Sequence, residues 1–278
     1  DAESGARLWR AKLCASGNAV LALDYDRFVV GDDDGGIRIF DRRQKKATVR
    51  YAENSDFISD MALGADQQTF CATSGDGTLA VYDVRKSGEK GLVAMSDFQE
   101  DEFLSLAIVR QGTKVVCGSQ TGTLAIFSWG DFGDQKDRIK GHPLSVDATV
   151  KLAEDGVLTG SSDGKIRAVA VHSKKLGSCV LGAIGEHGDC PVERLAISSD
   201  RALVASASHG QPAVQVWSTE VAFKLLSGDA EAAEASAAAA AAAGSDVDSD
   251  DSDDPKPKRR KKGKKAKAGS ALGKDALQ

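Results

Sequence analysis

Long hydrophobic runs are missing from this sequence, and their absence excludes the simplest kind of membrane protein. No segment approaches the ~20 apolar residues needed to cross a bilayer, and the alanine run Ala237–Ala243 falls far short. Aromatic residues make up only 5% of the 278 residues, yet 41% are apolar and 28% charged, which is enough to bury a core. At ~150 residues per domain that allows one large domain or two small ones. Cysteine is sparse: Cys14, Cys71, Cys117, Cys179 and Cys190 are odd in number and none forms a CxxC pair. A disulfide framework and a zinc knuckle are therefore not expected, and thiols buried in strands in a reducing compartment are expected. No basic segment followed by an apolar one opens the chain, so no secretory signal is visible. The first residue is Asp1 rather than Met, as expected of a processed start or a fragment. No stretch of the body reads as an amphipathic helix of ten or more residues.

What is present is a repeat. The stretch at residues 28–43 (FVVGDDDGGIRIFDRR) recurs at 70–85 (FCATSGDGTLAVYDVR), 115–129 (VVCGSQTGTLAIFSW) and 157–171 (VLTGSSDGKIRAVAV). A looser fifth copy spans 203–218 (LVASASHGQPAVQVWS). The turn glycines Gly35, Gly77, Gly122 and Gly164 are 42, 45 and 42 residues apart. Each copy begins with an alternating apolar segment such as Ile58–Leu63, followed by a polar turn and a short β-rich run. Asp34-Gly35, Asp76-Gly77 and Asp163-Gly164 then supply the left-handed backbone expected of a two-residue hairpin. The run after the turn alternates with period 2, which predicts burial of Ile37, Ile39, Leu79, Val81, Leu124 and Ile126. Three or four antiparallel strands in 40–45 residues, ending in an aromatic-Asp pair (Phe40-Asp41, Tyr82-Asp83), is the signature of a β-propeller blade. The predicted fold is all-β, with five blade units in residues 1–227. Residues 228–278 read as a low-complexity, disordered tail.

The strings at 31–41 (GDDDGGIRIFD), 117–133 (CGSQTGTLAIFSWGDFG), 138–147 (RIKGHPLSVD) and 159–169 (TGSSDGKIRAV) resemble the WD repeat-containing protein 55 family. The resemblance covers about residues 5–226. It implies a seven-bladed nucleolar propeller linked to ribosomal RNA maturation. Five copies stand here in place of seven, so the resemblance implies that the first two blades are missing and that the ring is open. Residues 5–12 then read as the outer strand of a preceding blade. It further implies that His142 and His187 brace their blades, through a hydrogen-bonded network of His, strand Ser/Thr, turn Asp and aromatic that no copy holds complete.

Signals for catalysis are weak. Gly160-Ser161-Ser162-Asp163-Gly164 matches GxSxG, but a nucleophile elbow needs a strand before it and a helix after it, and here strands flank both sides. The acidic turn at 31–35 lacks the D-x-D-x-D-G spacing and terminal Glu of a calcium loop. No P-loop, GxGxxG or HExxH occurs. No enzyme activity, cofactor, metal, membrane contact or small-molecule substrate is expected.

Two sets of residues point to partners. Asp41 and Arg43, like Asp83 and Arg85, fit an aromatic-Asp-x-Arg pattern that in some WD-repeat proteins docks the adaptor of a cullin-RING ubiquitin ligase. An arginine there can fork onto a partner's carboxylate. The body is mildly acidic, with 26 Lys+Arg against 31 Asp+Glu in residues 1–227, which argues against a broad DNA-binding face. The tail holds ten of each sign, segregated into blocks. Its Ala-rich part, 229–244, is marginal as a lone helix. An acidic run follows (245–254), in which Ser245, Ser249 and Ser252 suit acidophilic kinases. The basic block contains Lys256, Lys258, Arg259, Arg260, Lys261, Lys262, Lys264, Lys265 and Lys267. It reads as a nuclear or nucleolar address, or as a ribosomal RNA contact through phosphate neutralisation. No aromatic interleaves these cations, so sequence-specific reading of bases is not supported. The expected function is a non-enzymatic nucleolar scaffold that binds ribosome assembly proteins. The alternative is a cullin-RING substrate receptor.

Overall fold

The computed structural model describes residues 10–44 and 46–229. They form five antiparallel sheets in chain order. Blade 1 is β1 (Gly17–Ala22), β2 (Arg27–Asp32), β3 (Ile37–Asp41) and β4 (Ala47–Tyr51). Blade 2 is β5 (Ile58–Leu63), β6 (Thr69–Ser74), β7 (Leu79–Asp83) and β8 (Leu92–Met95). Blade 3 is β9 (Phe103–Val109), β10 (Lys114–Ser119), β11 (Leu124–Ser128) and β12 (Asp137–Ile139). Blade 4 is β13 (Val146–Ala153), β14 (Gly156–Ser161), β15 (Lys165–Ser173) and β16 (Gly177–Glu186). Blade 5 has three strands, β17 (Val192–Ile197), β18 (Leu203–Ser208) and β19 (Val214–Ser218). A short helix, α1 (Glu220–Ser227), follows and ends at Gly228 in the left-handed conformation. The fold is the expected five-bladed, all-β propeller.

The hairpins differ from expectation in one respect. The loop between β2 and β3 spans residues 33–36 rather than two residues. The N–H of Gly35 bonds the carbonyl of Asp32, and Gly77, Gly122 and Gly164 repeat this bond to Ser74, Ser119 and Ser161. Only the glycines take positive φ, +76° to +81°, while the preceding Asp residues do not. A type I turn closed by a left-handed glycine meets the same need for strand reversal as a type I′ turn.

All six predicted core residues (Ile37, Ile39, Leu79, Val81, Leu124 and Ile126) are buried. They are buried between blades, because a single twisted sheet cannot cover its own two faces. Ile37, Ile39 and Tyr51 of blade 1 pack on Ile58, Phe70 and Tyr82 of blade 2. The Tyr51 and Tyr82 rings lie 4.6 Å apart, and the Tyr51 hydroxyl donates to the carbonyl of Asp83 or of Lys86, each at 2.8 Å. Blades 2 and 3 meet through Leu79, Val81, Phe103 and Phe127. Leu124, Ile126, Val146 and Val169 fill the next junction. At the last, Leu158, Val204 and Trp217 pack with Leu225 and Leu226 of α1. Of the cysteines, only Cys71 and Cys117 are fully buried. Cys14 lies exposed ahead of β1, Cys179 is half-buried on β16 against the last core cluster, and Cys190 is half-buried in a loop.

The innermost strands pack in sequence, β1 on β5, β5 on β9, β9 on β13 and β13 on β17, with no comparable junction between β17 and β1. Val20 of β1 is 72% exposed, although Met61, Leu106 and Thr149 at the matched positions are buried. On blade 5, Val214 and Val216 are likewise more than half exposed. The ring is thus unsealed between its first and last blades among the described residues. Residues 5–9 of the expected outer strand lie outside the described residues, and residues 10–12 are not in a strand.

Tight approach between blades depends on missing side chains. A Cβ on Gly118 would sit 2.5 Å from Ser105 Oγ and 2.8 Å from the Val146 carbonyl oxygen of the next blade. A Cβ on Gly160 would sit 2.7 Å from Val192 Cγ1. Gly118→Ala should therefore destabilise the protein by about 1–3 kcal/mol through overpacking. Gly133→Ala, whose Cβ would meet nothing nearer than 4.0 Å, should stay within about 0.5 kcal/mol. Urea unfolding of the two variants checks this, and equal losses would contradict it.

Candidate interaction surfaces

The aromatic-Asp-x-Arg residues lie at the ends of β3 and β7, where the chain leaves the sheet. Asp41 and Asp83 are buried, while the side chains of Arg43 and Arg85 are 65% and 59% exposed. Each guanidinium forks back onto the Asp of its own motif. Arg43 donates from Nε and Nη2 to Asp41 at 2.9 and 2.6 Å, and Arg85 donates to Asp83 at 2.8 Å through both. The backbone N–H of each Arg adds a third bond. These bonds hold the Asp41 carboxyl down at about 2, with the Arg43 side chain the largest cause, and hold Asp83 lower still through Arg85. Arg43 also pairs with Asp26 at 3.3 Å, and Arg42 lies 4.4 Å over the exposed Tyr25 ring. Each fork is therefore filled by the aspartate of its own motif, and the outer nitrogen of Arg43 is further paired with Asp26.

The bracing networks vary from blade to blade. Blade 5 holds a complete one: Gln211 Oε1 lies 2.9 Å from His187 Nδ1, and His187 Nε2 lies 2.6 Å from Ser206 Oγ. The Trp217 indole N–H donates to that hydroxyl at 2.8 Å. Gln211 fills the place of the turn Asp, which is why the sequence pattern looked incomplete. In blade 4, His142 Nε2 meets Thr159 Oγ1 at 2.8 Å, but Asp163 is forked by Arg167 instead. In blade 2, Asn54 replaces the His and accepts from the Tyr82 hydroxyl at 2.7 Å. In blade 1, Asp32 accepts from the Gly36 N–H and from Arg38. Ser161 ends β14 and Ser162 opens the hairpin to β15, without the helix a nucleophile elbow requires.

One feature carries no motif in the sequence. The five innermost strands surround a cavity of about 370 Å³, lined by residues including Ala19, Asp60, Leu106, Ala148 and Arg194. Its only sequence signal is a scatter of polar residues within alternating strands, at Ser59-Asp60, Asp147 and Arg194. The tail residues, including Ser245, Ser249, Ser252 and the basic block from Lys256 to Lys267, lie outside the described residues.

A family model, WDR55, matches residues 4–222. The chain belongs to the WDR55 family. It is 38% identical over 204 residues to WD repeat-containing protein 55 of Arabidopsis thaliana, covering 73% of this chain and 55% of that protein. To the Mus musculus protein of the same name it is 37% identical over 194 residues, covering 70% and 48%. To WD repeat-containing protein JIP5 of Coprinopsis cinerea it is 40% identical over 193 residues, covering 65% and 45%. The chain thus spans about half the length of these WDR55-family relatives.

His142 makes one junction of this WDR55-family ring sensitive to acid. Burial first, and the Arg167 charge second, lower its imidazole from 6.5 to about 4. Between those values the unfolded chain binds a proton that the folded chain refuses, so stability falls as pH falls from about 6.5 to about 4. The loss should be about 1–3 kcal/mol. His142→Gln should flatten this part of the melting temperature against pH curve, and an unchanged slope would contradict the assignment.

Proposed function

We propose that this chain is a non-enzymatic scaffold that works in the nucleolus, in ribosomal RNA processing and ribosome biogenesis. Membership of the WDR55 family together with the basic block at 256–267 carries this reading. The propeller presents rims and an axial opening to assembly proteins. Its described polar clusters are engaged in bracing blades, as at His187 and Asp32. Nine cations in twelve tail residues supply an address and a phosphate-neutralising contact with ribosomal RNA. The three serines of the acidic run are sites at which phosphorylation would add further negative charge beside the basic block.

A second reading, a substrate receptor of a cullin-RING ligase, is favoured by the matched exposure of Arg43 and Arg85 on consecutive blades. It requires the adaptor to bind the outer guanidinium edges beside Asp41 and Asp83. Affinity purification of the full-length protein separates the two readings, by ribosomal precursors or by ligase adaptor in the eluate.

The basic block provides the direct test. Changing Lys258, Arg259, Arg260, Lys261, Lys262, Lys264 and Lys265 to Ala removes seven positive charges outside the propeller. The circular dichroism of the body should persist. A tagged protein should leave the nucleolus, and the salt dependence of its binding to single-stranded RNA should drop by up to about 5 in log–log slope. Continued nucleolar retention would transfer the address to the propeller's protein partners.

A further inference from the structure

Asp60 is a charged group where the fold needs only a neutral one. Its position on β5 points at the next blade: Oδ2 accepts the Leu106 N–H of β9 at 3.0 Å, and Oδ1 accepts the Met61 N–H at 2.8 Å. The matched positions on the other innermost strands are Ala19, Ser105, Ala148 and Arg194. Ser105 makes the same kind of tie with a hydroxyl, bonding the Val146 carbonyl at 3.0 Å and Thr149 Oγ1 at 2.8 Å. Ala19 and Ala148 make no such tie. A carboxylate is therefore not required to join one blade to the next. Asp60 also has no cation within 4.0 Å among the described residues. Burial pushes its carboxyl up, and Arg194 acts on it only at a distance. Asp60 is half-buried, and a charge partly withdrawn from water without an ion pair is costly to keep.

The carboxylate lines the axial cavity, whose volume of about 370 Å³ lies at the small end of ligand sites. A second cavity, of about 340 Å³, shares Asn18, Ser59, Leu104, Asp147 and Arg194 with the first and adds Phe57 and Glu193. Among the described residues, three carboxylates, Asp60, Asp147 and Glu193, thus face this space with a single cation, Arg194. Asp147 is held by the hydroxyls of Ser162 and Ser145 at 2.6 and 3.2 Å. Arg194 donates to the Glu193 carbonyl at 2.8 Å. The body around this space carries an excess of five acidic residues.

We propose that the axial cavity binds a cationic side chain of a basic polypeptide partner, with Asp60 as its counter-ion inside and Asp147 and Glu193 guiding it at the mouth. Each Asp60 oxygen retains a lone pair beyond its backbone bond, so a planar guanidinium can engage both. An arginine is accordingly preferred over a lysine. The proposal rests on reading the ring as a docking module for assembly proteins and names the chemistry such a partner presents. Its failure would leave the tail-borne address, which is tested separately, untouched.

The test uses the full chain and a fluorescent pentapeptide, Gly-Gly-Arg-Gly-Gly, capped at both ends. Counterparts carry Lys or the neutral isostere citrulline in place of Arg. Anisotropy titration should rank Arg above Lys, and Arg above citrulline by about tenfold or more. Asp60→Asn should remove that preference while leaving the melting temperature equal or higher, because the unpaired charge is gone. A merely structural Asp60 predicts the opposite pattern, a lower melting temperature with unchanged peptide affinity, and that result would overturn the proposal. Should Asp60→Asn fail to fold, Asp60→Ser copies the tie already made by Ser105. Asp147→Asn with Glu193→Gln should weaken Arg-peptide binding about two- to fivefold. Equal binding of the Arg and citrulline peptides to the unaltered protein, or no binding of either, would also overturn the proposal.

Discussion

Blade-on-blade packing is the interaction on which everything else in this protein depends. Each sheet carries apolar side chains on both faces, so none is stable alone, and each gains its core only from its neighbours. The gain is large because the approach is close. Gly118 and Gly160 let the first residue of the next blade, Val146 or Val192, sit against bare backbone. The Tyr51, Phe70 and Tyr82 rings then interlock across the first junction. Where no neighbour stands, the same design leaves apolar residues in water, as at Val20 on one side and Val214 and Val216 on the other. Helix α1 shields part of the last junction by placing Leu225 and Leu226 against blade 4, where Leu226 occupies the space beside Gly156.

That arrangement also determines where chemistry can occur. Polar groups inside the stack are almost all paired, and the pairing differs in each blade. His187 uses Gln211 and Ser206, Asn54 uses Tyr82, and Asp32 uses Arg38. Such networks hold loops in place. Among the described residues, the charged features that stay accessible are the rim arginines, already anchored by their own aspartates, and the axial cavity with its surplus of carboxylate.

Much of the fold was legible in the sequence, for a physical reason. A blade is a local unit, its strands alternate with period 2, and its turn glycines recur every 42–45 residues. The core residues Ile37, Leu79 and Ile126 follow from that alternation alone. What was not legible depends on contacts between distant residues. The two-residue hairpin was wrong because an Asp-Gly pair fits a type I turn with a left-handed Gly as well as a type I′ turn. The helix at Glu220–Ser227 escaped notice because eight residues make little helix signal by themselves, and its stability comes from docking on blade 4. Gln211 could not be recognised as the substitute for a turn Asp without its distance to His187. Nor does alternation around Asp60 reveal that this carboxylate faces the axis without a counter-ion among the described residues.

The account's central claim is that the blades stabilise one another in order, with the weakest support at the unsealed ends. Hydrogen–deuterium exchange of the full chain, read strand by strand, tests it most directly. The middle strands β6, β10 and β14, each flanked by a neighbouring blade on both sides, should exchange slowest. Strands β1, β18 and β19, at the unsealed ends, should exchange markedly faster. Protection in β18 and β19 equal to that in β10 would mean that the ring is sealed by contacts other than those described, and would contradict the claim.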